Sequence, residues 1–157
     1  MIKDLYDVGN DLISKIIQAS NAKINSQIAY AMLLAEIEVN LTILKTIPNE
    51  IKDEKWWDCF ALLSTDALAL VIFNDKNRIQ AAKDFKKLNV KTGRKEKDIS
   101  GIDASFFVYR KIGALKQIAL LSKEFSALKS SFKVDTRIEN IKNHYESLHK
   151  VIREKVK

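Results

Sequence analysis

The sequence predicts an all-α protein, a bundle of five or six mostly antiparallel helices that forms a single domain over residues 1–157. Glycine and proline together supply only five of the 157 residues, whereas sandwiches and barrels use these residues at most of their turns. Apolar residues also recur every three or four positions over long segments, which is the period of one helix face. A chain of this length can bury a core without disulfides or a structural metal.

The first half of the chain carries two long apolar patterns. Residues 3–47 have a helical period, which leaves open whether one long helix or two collinear helices form. Residues 56–73 are the most hydrophobic stretch, and Asp53 is the residue expected to cap a helix there. We interpret this stretch as one buried helix and not as a membrane span, because Asp58 and Asp66 would be costly in lipid.

The second half begins with a short basic helix, over about 76–89, that Asn74 and Asp75 are expected to cap. Residues 90–101, VKTGRKEKDISG, have no apolar period and hold two of the four glycines. We therefore expect a basic, mobile loop there. The remaining chain is predicted to form two long helices, one over about 104–131 with Asp103 as its cap and one over about 135–156.

The last predicted helix carries a single narrow apolar stripe. A stripe of this width is typical of an outer bundle helix or of a seam with a partner. One expectation is therefore a homodimer formed through the C-terminal helix. The stripe consists of Ile138, Ile141, Tyr145, Leu148 and Ile152.

Positive charge is concentrated in the second half of the chain. The first 73 residues hold six lysines, no arginine and ten acidic residues, whereas the remaining 84 hold 21 basic and ten acidic residues. Residues 76–97 are the densest part, with nine basic residues against Asp84 and Glu96. Such a field attracts phosphate or an acidic protein, although a solvated lysine-rich face is the simpler alternative. The predicted contacts to a nucleic acid backbone or an acidic protein are Lys83, Lys86, Lys87, Lys91, Arg94, Lys95 and Lys97.

Most catalytic and cofactor templates are missing from the sequence. The four glycines are too scattered for a nucleotide-binding loop. Glu146 and His149 form one Glu-x-x-His, but a di-metal bundle needs a second copy. Cys59 lies in an apolar pattern, where a thiol is inert. We therefore expect no metal and no cofactor. The acidic, interrupted N-terminal segment does not resemble a secretory signal, so a cytoplasmic location without membrane association is the expectation.

Several polar residues interrupt the apolar patterns. Asp66 is surrounded by apolar residues, and a buried carboxylate needs a partner. We predict a buried ion pair between Asp66 and Arg110. Glu36 and Asn40 share one helix face, where they line a polar groove or simply face solvent.

Arg137 and His144 are seven residues apart, which places them on one face of the last helix. This Arg-x6-His spacing resembles the HEPN family of small helical-bundle ribonucleases. The resemblance implies a dimeric, metal-independent endoribonuclease. In it, His144 would act on the ribose 2′-hydroxyl or the leaving oxygen, and Arg137 would stabilise the charge on the phosphorane. We favour a non-enzymatic interaction module that binds an acidic partner through its basic surface, and the ribonuclease is the alternative.

Overall fold

The computed structural model describes residues 25–47, 54–124 and 133–156. The described residues confirm the predicted, mostly helical fold, with six helices and one two-stranded sheet. The elements in chain order are α1 (Ser26–Thr46), α2 (Glu54–Phe60), α3 (Asp66–Ile72), α4 (Asp75–Asp84), β1 (Leu88–Thr92), β2 (Lys95–Ile99), α5 (Gly101–Glu124) and α6 (Val134–Lys155).

Helix α1 begins at Ser26. Asn25 has an extended backbone, and its side-chain oxygen accepts a hydrogen bond from the amide of Ile28 at 3.0 Å. The pattern over 3–47 is therefore not one continuous helix, and residues 3–24 lie outside the described residues. In the part of the chain that the structure describes, α1 is the one helix long and apolar enough to cross a membrane. Most of its length is buried in the molecule, where it packs against α3, α4 and α6.

Among the described residues, helix α6 packs mainly against α1, α5 and β1. Its predicted apolar stripe is confirmed as part of the core, since Ile141, Tyr145, Leu148 and Ile152 are fully buried. The stripe that resembled a partner seam is thus covered by elements of the same chain.

The burial of apolar residues changes along helix α5. Val108, Ile112 and Leu115 are fully buried, whereas Leu121 is 40% exposed. The predicted cap is also wrong, because the hydroxyl of Ser100 accepts the hydrogen bond from the amide of Asp103 at 3.1 Å. The predicted part of this helix beyond residue 124 lies outside the described residues.

The hydrophobic stretch 56–73 does not form the single helix that its composition indicates. It divides into α2 and α3 around a turn at residues 61–65. The turn is held by α1, since the side chain of Asn40 bonds both backbone groups of Ser64, accepting from its amide at 3.1 Å and donating to its carbonyl at 2.7 Å. A contact between distant segments therefore overrides the local apolar pattern. The predicted cap Asp53 lies outside the described residues.

Helix α4 begins as predicted, because the side chain of Asn74 accepts a hydrogen bond from the amide of Asn77 at 3.0 Å. The helix ends at Asp84 and not near residue 89. The predicted loop at 90–101 is wrong, since most of it belongs to an antiparallel hairpin paired from Leu88 with Ile99 to Thr92 with Lys95. Gly93 supplies the positive φ of 65° that its tight turn needs.

The hairpin forms because one side of β1 is apolar and reaches the core. Leu88 and Val90 are buried, whereas Asn89 and Lys91 point away and are exposed. The hydroxyl of Ser147 on α6 donates to the carbonyl of Asn89 at 2.8 Å. Two alternating apolar positions are too few to predict a strand from the sequence. The strand is stabilised by its contact with α6, which the sequence pattern does not show.

Candidate functional site

The hairpin and the segment before it display the predicted basic residues. All seven are exposed. Lys83 lies on α4, Lys86 and Lys87 connect α4 to β1, and the other four lie on the two strands and their turn. We call this set the basic hairpin surface: Lys83, Lys86, Lys87, Lys91, Arg94, Lys95 and Lys97.

These cations are largely free of ion pairs. Lys87 binds Asp98 at 3.2 Å, and within the described residues no salt bridge is formed by the other six. The nearest acid on α4, Asp84, is engaged elsewhere, since the hydroxyl of Tyr30 donates to it at 2.7 Å. Glu96 lies opposite Lys91 in the hairpin register and forms no salt bridge with it. Because the seven cations outnumber Asp84, Glu96 and Asp98, the surface keeps a net positive field that is available to an anionic partner.

A pocket of about 550 Å³ lies between β2 and the first turns of α5. Lys97 and Arg110 bring positive charge to it, and Phe106 and Phe107 bring aromatic rings. The other lining residues are Asp98, Ile99, Ser100 and Asp103.

Phe106 connects this pocket to two more rings. Its ring centroid is 5.9 Å from that of Phe73, which in turn is 5.1 Å from that of Tyr109, and both contacts are edge-to-face. Phe73 is 55% exposed. We call Phe73, Phe106 and Tyr109 the aromatic cluster. This cluster was not predicted from the sequence, because Phe73 is the last residue of the stretch 56–73 that was interpreted as a buried helix. The three aromatic residues just before Arg110, which are Phe106, Phe107 and Tyr109, were the feature of the sequence that could have indicated it.

The predicted buried ion pair is wrong. Asp66 and Arg110 are both exposed, and no salt bridge among the described residues joins them. The turn before α3 is the reason, because it makes Asp66 the first residue of a helix and not a mid-helix residue. Arg110 instead lines the pocket beside β2.

Glu36 and Asn40 are fully buried, so the expectation of a solvent-facing pair is wrong. The two oxygens of Glu36 accept hydrogen bonds from the amides of Ala67 and Leu68, each at 2.9 Å. The hydroxyl of Ser64 also donates to Glu36 at 2.9 Å. Burial is the largest influence on this carboxyl and raises its pKa to about 7, against the lowering by these hydrogen bonds.

Tyr145 on α6 joins the same buried group. Its hydroxyl oxygen accepts a hydrogen bond from the side-chain amide of Asn40 at 2.8 Å. The negative field of Glu36 adds to burial in raising the pKa of this phenol. The group therefore ties α1, α3 and α6 together.

His144 is also buried, with 4% of its surface exposed. Its Nδ1 lies 2.7 Å from the carbonyl oxygen of Asn140, which accepts only, so the neutral ring carries its proton on Nδ1. The ring stacks on Phe107 at a centroid distance of 3.9 Å. Burial lowers the pKa of His144, the Asn140 carbonyl opposes this, and the charge of Lys97 lowers the pKa further.

Arg137 lies one turn into α6, seven residues before His144, and is half-buried. At 1.5 Å per residue the two Cα atoms are about 10.5 Å apart along the helix. Arg137 shares a helix face with His144, but the charge that acts on the imidazole comes from Lys97 on β2.

The second histidine belongs to a different surface. His149 Nε2 lies 3.1 Å from a carboxylate oxygen of Glu38, in a polar pocket of about 440 Å³ between α1 and α6. Glu146 lines this pocket too, but it lies 3.6 Å from Lys45. Over the ranges that the structure describes, no three histidine, cysteine or acidic side chains are grouped to hold a metal.

The pocket beside β2 thus combines cations, aromatic rings and hydrogen-bonding groups. Its Lys97 belongs to the basic hairpin surface, and its Phe107 stacks on His144. Comparisons with known proteins add no relative to this description: no family model, no curated protein and no solved structure matches the chain.

Proposed function

We propose that this chain is a non-enzymatic interaction module that binds a polyanionic partner through the basic hairpin surface. One observation carries the proposal: six of its seven exposed cations form no ion pair within the described residues. Glu96 and Asp98 alternate with Lys95 and Lys97 along β2, but the seven cations outnumber the nearby acids, and this excess generates a field that attracts phosphate, sulfate or carboxylate groups.

The way in which the hairpin is held supports the same function. Leu88 and Val90 anchor β1 in the core, and the Ser147 hydroxyl fixes its backbone at Asn89. Lys95 pairs with Thr92 in the hairpin register, so its position relative to Arg94 and the turn is set by backbone hydrogen bonds. Cations on a fixed scaffold lose less conformational freedom on binding than cations on a loose loop.

The test compares two triple variants that lower the net charge equally. In the first, Lys91, Arg94 and Lys95 of the hairpin are changed to glutamine. In the second, the exposed cations Lys150, Arg153 and Lys155 at the end of α6 are changed to glutamine. Affinity for heparin, a polyanion without bases, is measured over a series of salt concentrations. We expect the hairpin variant to bind on the order of tenfold more weakly. Its affinity should also depend less steeply on salt, because binding through fewer cations releases fewer counterions.

The α6 variant is expected to bind nearly as well as the unchanged protein, since its cations lie outside the proposed surface. Equal losses in both variants would show that only net charge matters and would contradict the proposal. Absence of any salt-dependent binding at low ionic strength would also contradict it.

We propose ribonuclease activity as the second candidate, supported by the state of one imidazole. Because Nδ1 of His144 donates to Asn140, Nε2 is left as the proton acceptor, and the lowered pKa keeps the ring in its basic form at neutral pH. A general base must approach the ribose hydroxyl to hydrogen-bond distance, and the 4% exposure of His144 restricts that approach. Binding is therefore the better supported function.

Incubation with RNA in EDTA tests this candidate. On this candidate the unchanged protein cleaves RNA, and cleavage is lost in His144→Ala and in Arg137→Gln, because both groups would act on the scissile phosphodiester, but persists in His149→Ala. RNA that stays intact with the unchanged protein, or cleavage that survives in His144→Ala, would exclude the activity.

A further inference from the structure

We infer that the polyanion is a single-stranded nucleic acid, whose backbone follows the basic hairpin surface and whose bases stack on the aromatic cluster of Phe73, Phe106 and Tyr109. The inference rests on the function proposed above, because it names the partner class for the same surface. It begins from a feature that charge alone does not explain, the exposure of Phe73, next to the partly buried rings of Phe106 and Tyr109, beside unpaired cations.

Phe73 is the most informative of these rings. Phenylalanine is usually found in the interior, yet 55% of Phe73 is exposed between α3 and α4. Its edge-to-face contacts with Phe106 and Tyr109 fix the position of the ring. A fixed, exposed ring is a stacking platform, and such a platform adds about 5- to 150-fold in affinity for each base it holds.

The aromatic cluster and the basic hairpin surface are continuous. Phe106 contacts Phe73 on one side and lines the pocket that Lys97 and Arg110 share on the other. Lys97 is exposed on β2, and Arg110 is exposed on α5 without an ion pair among the described residues. A strand of nucleic acid presents alternating phosphates and bases, which is the chemistry that adjacent cations and rings would recognise.

The acids in the pocket distinguish a nucleic acid from an acidic protein. Asp98 and Asp103 line the pocket beside Phe106. They would repel a carboxylate or a phosphate placed among these rings, so the group that rests on the aromatic cluster must be neutral, and an acidic peptide carries its charge on the side chains themselves. A base is neutral, and its amino groups donate to carboxylates, as the exocyclic amine of cytosine does. The mixture of acids, Ser100 and aromatic rings therefore suits bases better than acidic side chains.

The aromatic cluster also distinguishes a single strand from a duplex. Bases in a duplex are stacked on each other and paired, so a protein ring reaches them only after they are splayed out. Unpaired bases expose both faces at no such cost. We therefore expect a labelled single strand to bind more tightly than a duplex of the same sequence.

The experiment uses the full chain and a labelled oligonucleotide of about 12 nucleotides, a length within the range that such surfaces occupy. Its affinity is measured by fluorescence anisotropy for Phe73→Ala and for Ile79→Ala. Ile79 is the matched control, because it is 56% exposed on α4 and belongs to no part of the aromatic cluster. We expect Phe73→Ala to bind the single strand at least about fivefold more weakly. Its affinity for heparin, which has no bases, should stay unchanged, and Ile79→Ala should change neither affinity.

Phe73→Leu and Phe73→Trp separate stacking from folding. Leucine keeps apolar volume but has no ring face, so it should weaken binding as alanine does while thermal unfolding stays close to that of the unchanged protein. Tryptophan should restore or strengthen binding.

Equal affinity for single strand and duplex would overturn the inference, and so would an unchanged affinity in Phe73→Ala and Phe73→Leu. Tighter binding to polyglutamate than to the oligonucleotide would overturn it in favour of an acidic protein. With any of these results, the proposed function would still hold if heparin binding were weakened by the substitutions in the hairpin. Absence of binding to heparin and to the oligonucleotide would overturn both.

Discussion

The carboxylate of Glu36 lies where the N-terminus of α3 meets α1. Thr65, the residue before α3, makes no side-chain capping bond, so Glu36 accepts the hydrogen bonds of Ala67 and Leu68 that a local cap would otherwise take. The positive end of the short helix favours a negative charge there. Burial opposes that charge and is the larger influence, since the pKa is raised to about 7.

We expect this carboxyl to make stability depend on pH. Its pKa rises from 4.5 in the unfolded chain to about 7 in the fold, so the folded state retains a proton between these values. The resulting stabilisation is present in full below pH 4.5 and is lost as the pH rises through 7. The contribution of Glu36 to the free energy of unfolding should therefore fall by on the order of 2–3 kcal/mol between pH 5 and pH 8, measured by urea denaturation.

Glu36→Gln should abolish this decline, whereas Glu38→Gln, at an exposed position on the same helix, should keep it. His144 acts in the opposite sense, because its lowered pKa removes stability as the pH falls below 6.5. Because His144 is present in the unchanged protein and in both variants, its contribution cancels when their pH dependences are subtracted. A pH dependence that is identical in Glu36→Gln and the unchanged protein would contradict the assignment.

The hairpin joins α5 through a close backbone contact at Gly101. The amide of Gly101 donates to the carbonyl of Phe85 at 2.7 Å. A Cβ atom at this glycine would lie 2.3 Å from the Cβ of Phe85 and 2.6 Å from its carbonyl oxygen. Both atoms belong to or adjoin the backbone, so a small rotation of a side chain would not relieve the overlap.

Gly101→Ala is therefore expected to lower the free energy of unfolding by about 2 kcal/mol, the range found for overpacked sites. Gly113→Ala is the matched control within the same helix, because nothing lies within 4 Å of the added Cβ. It should raise stability by about 0.5–1 kcal/mol, since alanine favours the helix. Both changes are measured by chemical denaturation, and a neutral Gly101→Ala would show that the contact with Phe85 is not tight.

Elements differ in how well the sequence predicts them. The stripe of α6 repeats over five residues and is buried as predicted, because one helix face decides it locally. The split between α2 and α3 was not predictable in this way, because its turn is stabilised by Asn40 and Glu36 from another helix. The hairpin was missed for a similar reason, since only Leu88 and Val90 of its residues are buried, and Ile99 is partly buried against the core.

At the scale of the whole molecule, positive charge and aromatic rings come from separate segments and meet at the pocket beside β2. The basic hairpin surface is formed by residues 83–97. The only aromatic residue in that segment of the sequence is Phe85, and its side chain is buried. Phe73 and Phe106 come from before and after that segment. The comparison of heparin with a single-stranded oligonucleotide tests this arrangement as a whole. The salt dependence of heparin binding measures the combined effect of the cations. The additional affinity for a single strand measures whether the aromatic rings lie close enough to those cations to stack on bases.

The sequence by itself determined the helical class, the core stripe of α6 and the concentration of exposed cations after residue 73, because periodicity and charge are properties of neighbouring residues. Tertiary structure alone decided that Glu36 is buried, that Asp66 is exposed and that Phe73 stands beside Phe106. Each of these outcomes depends on contact between segments far apart in the chain, and a local pattern carries no information about which distant group supplies a hydrogen bond or leaves a ring uncovered.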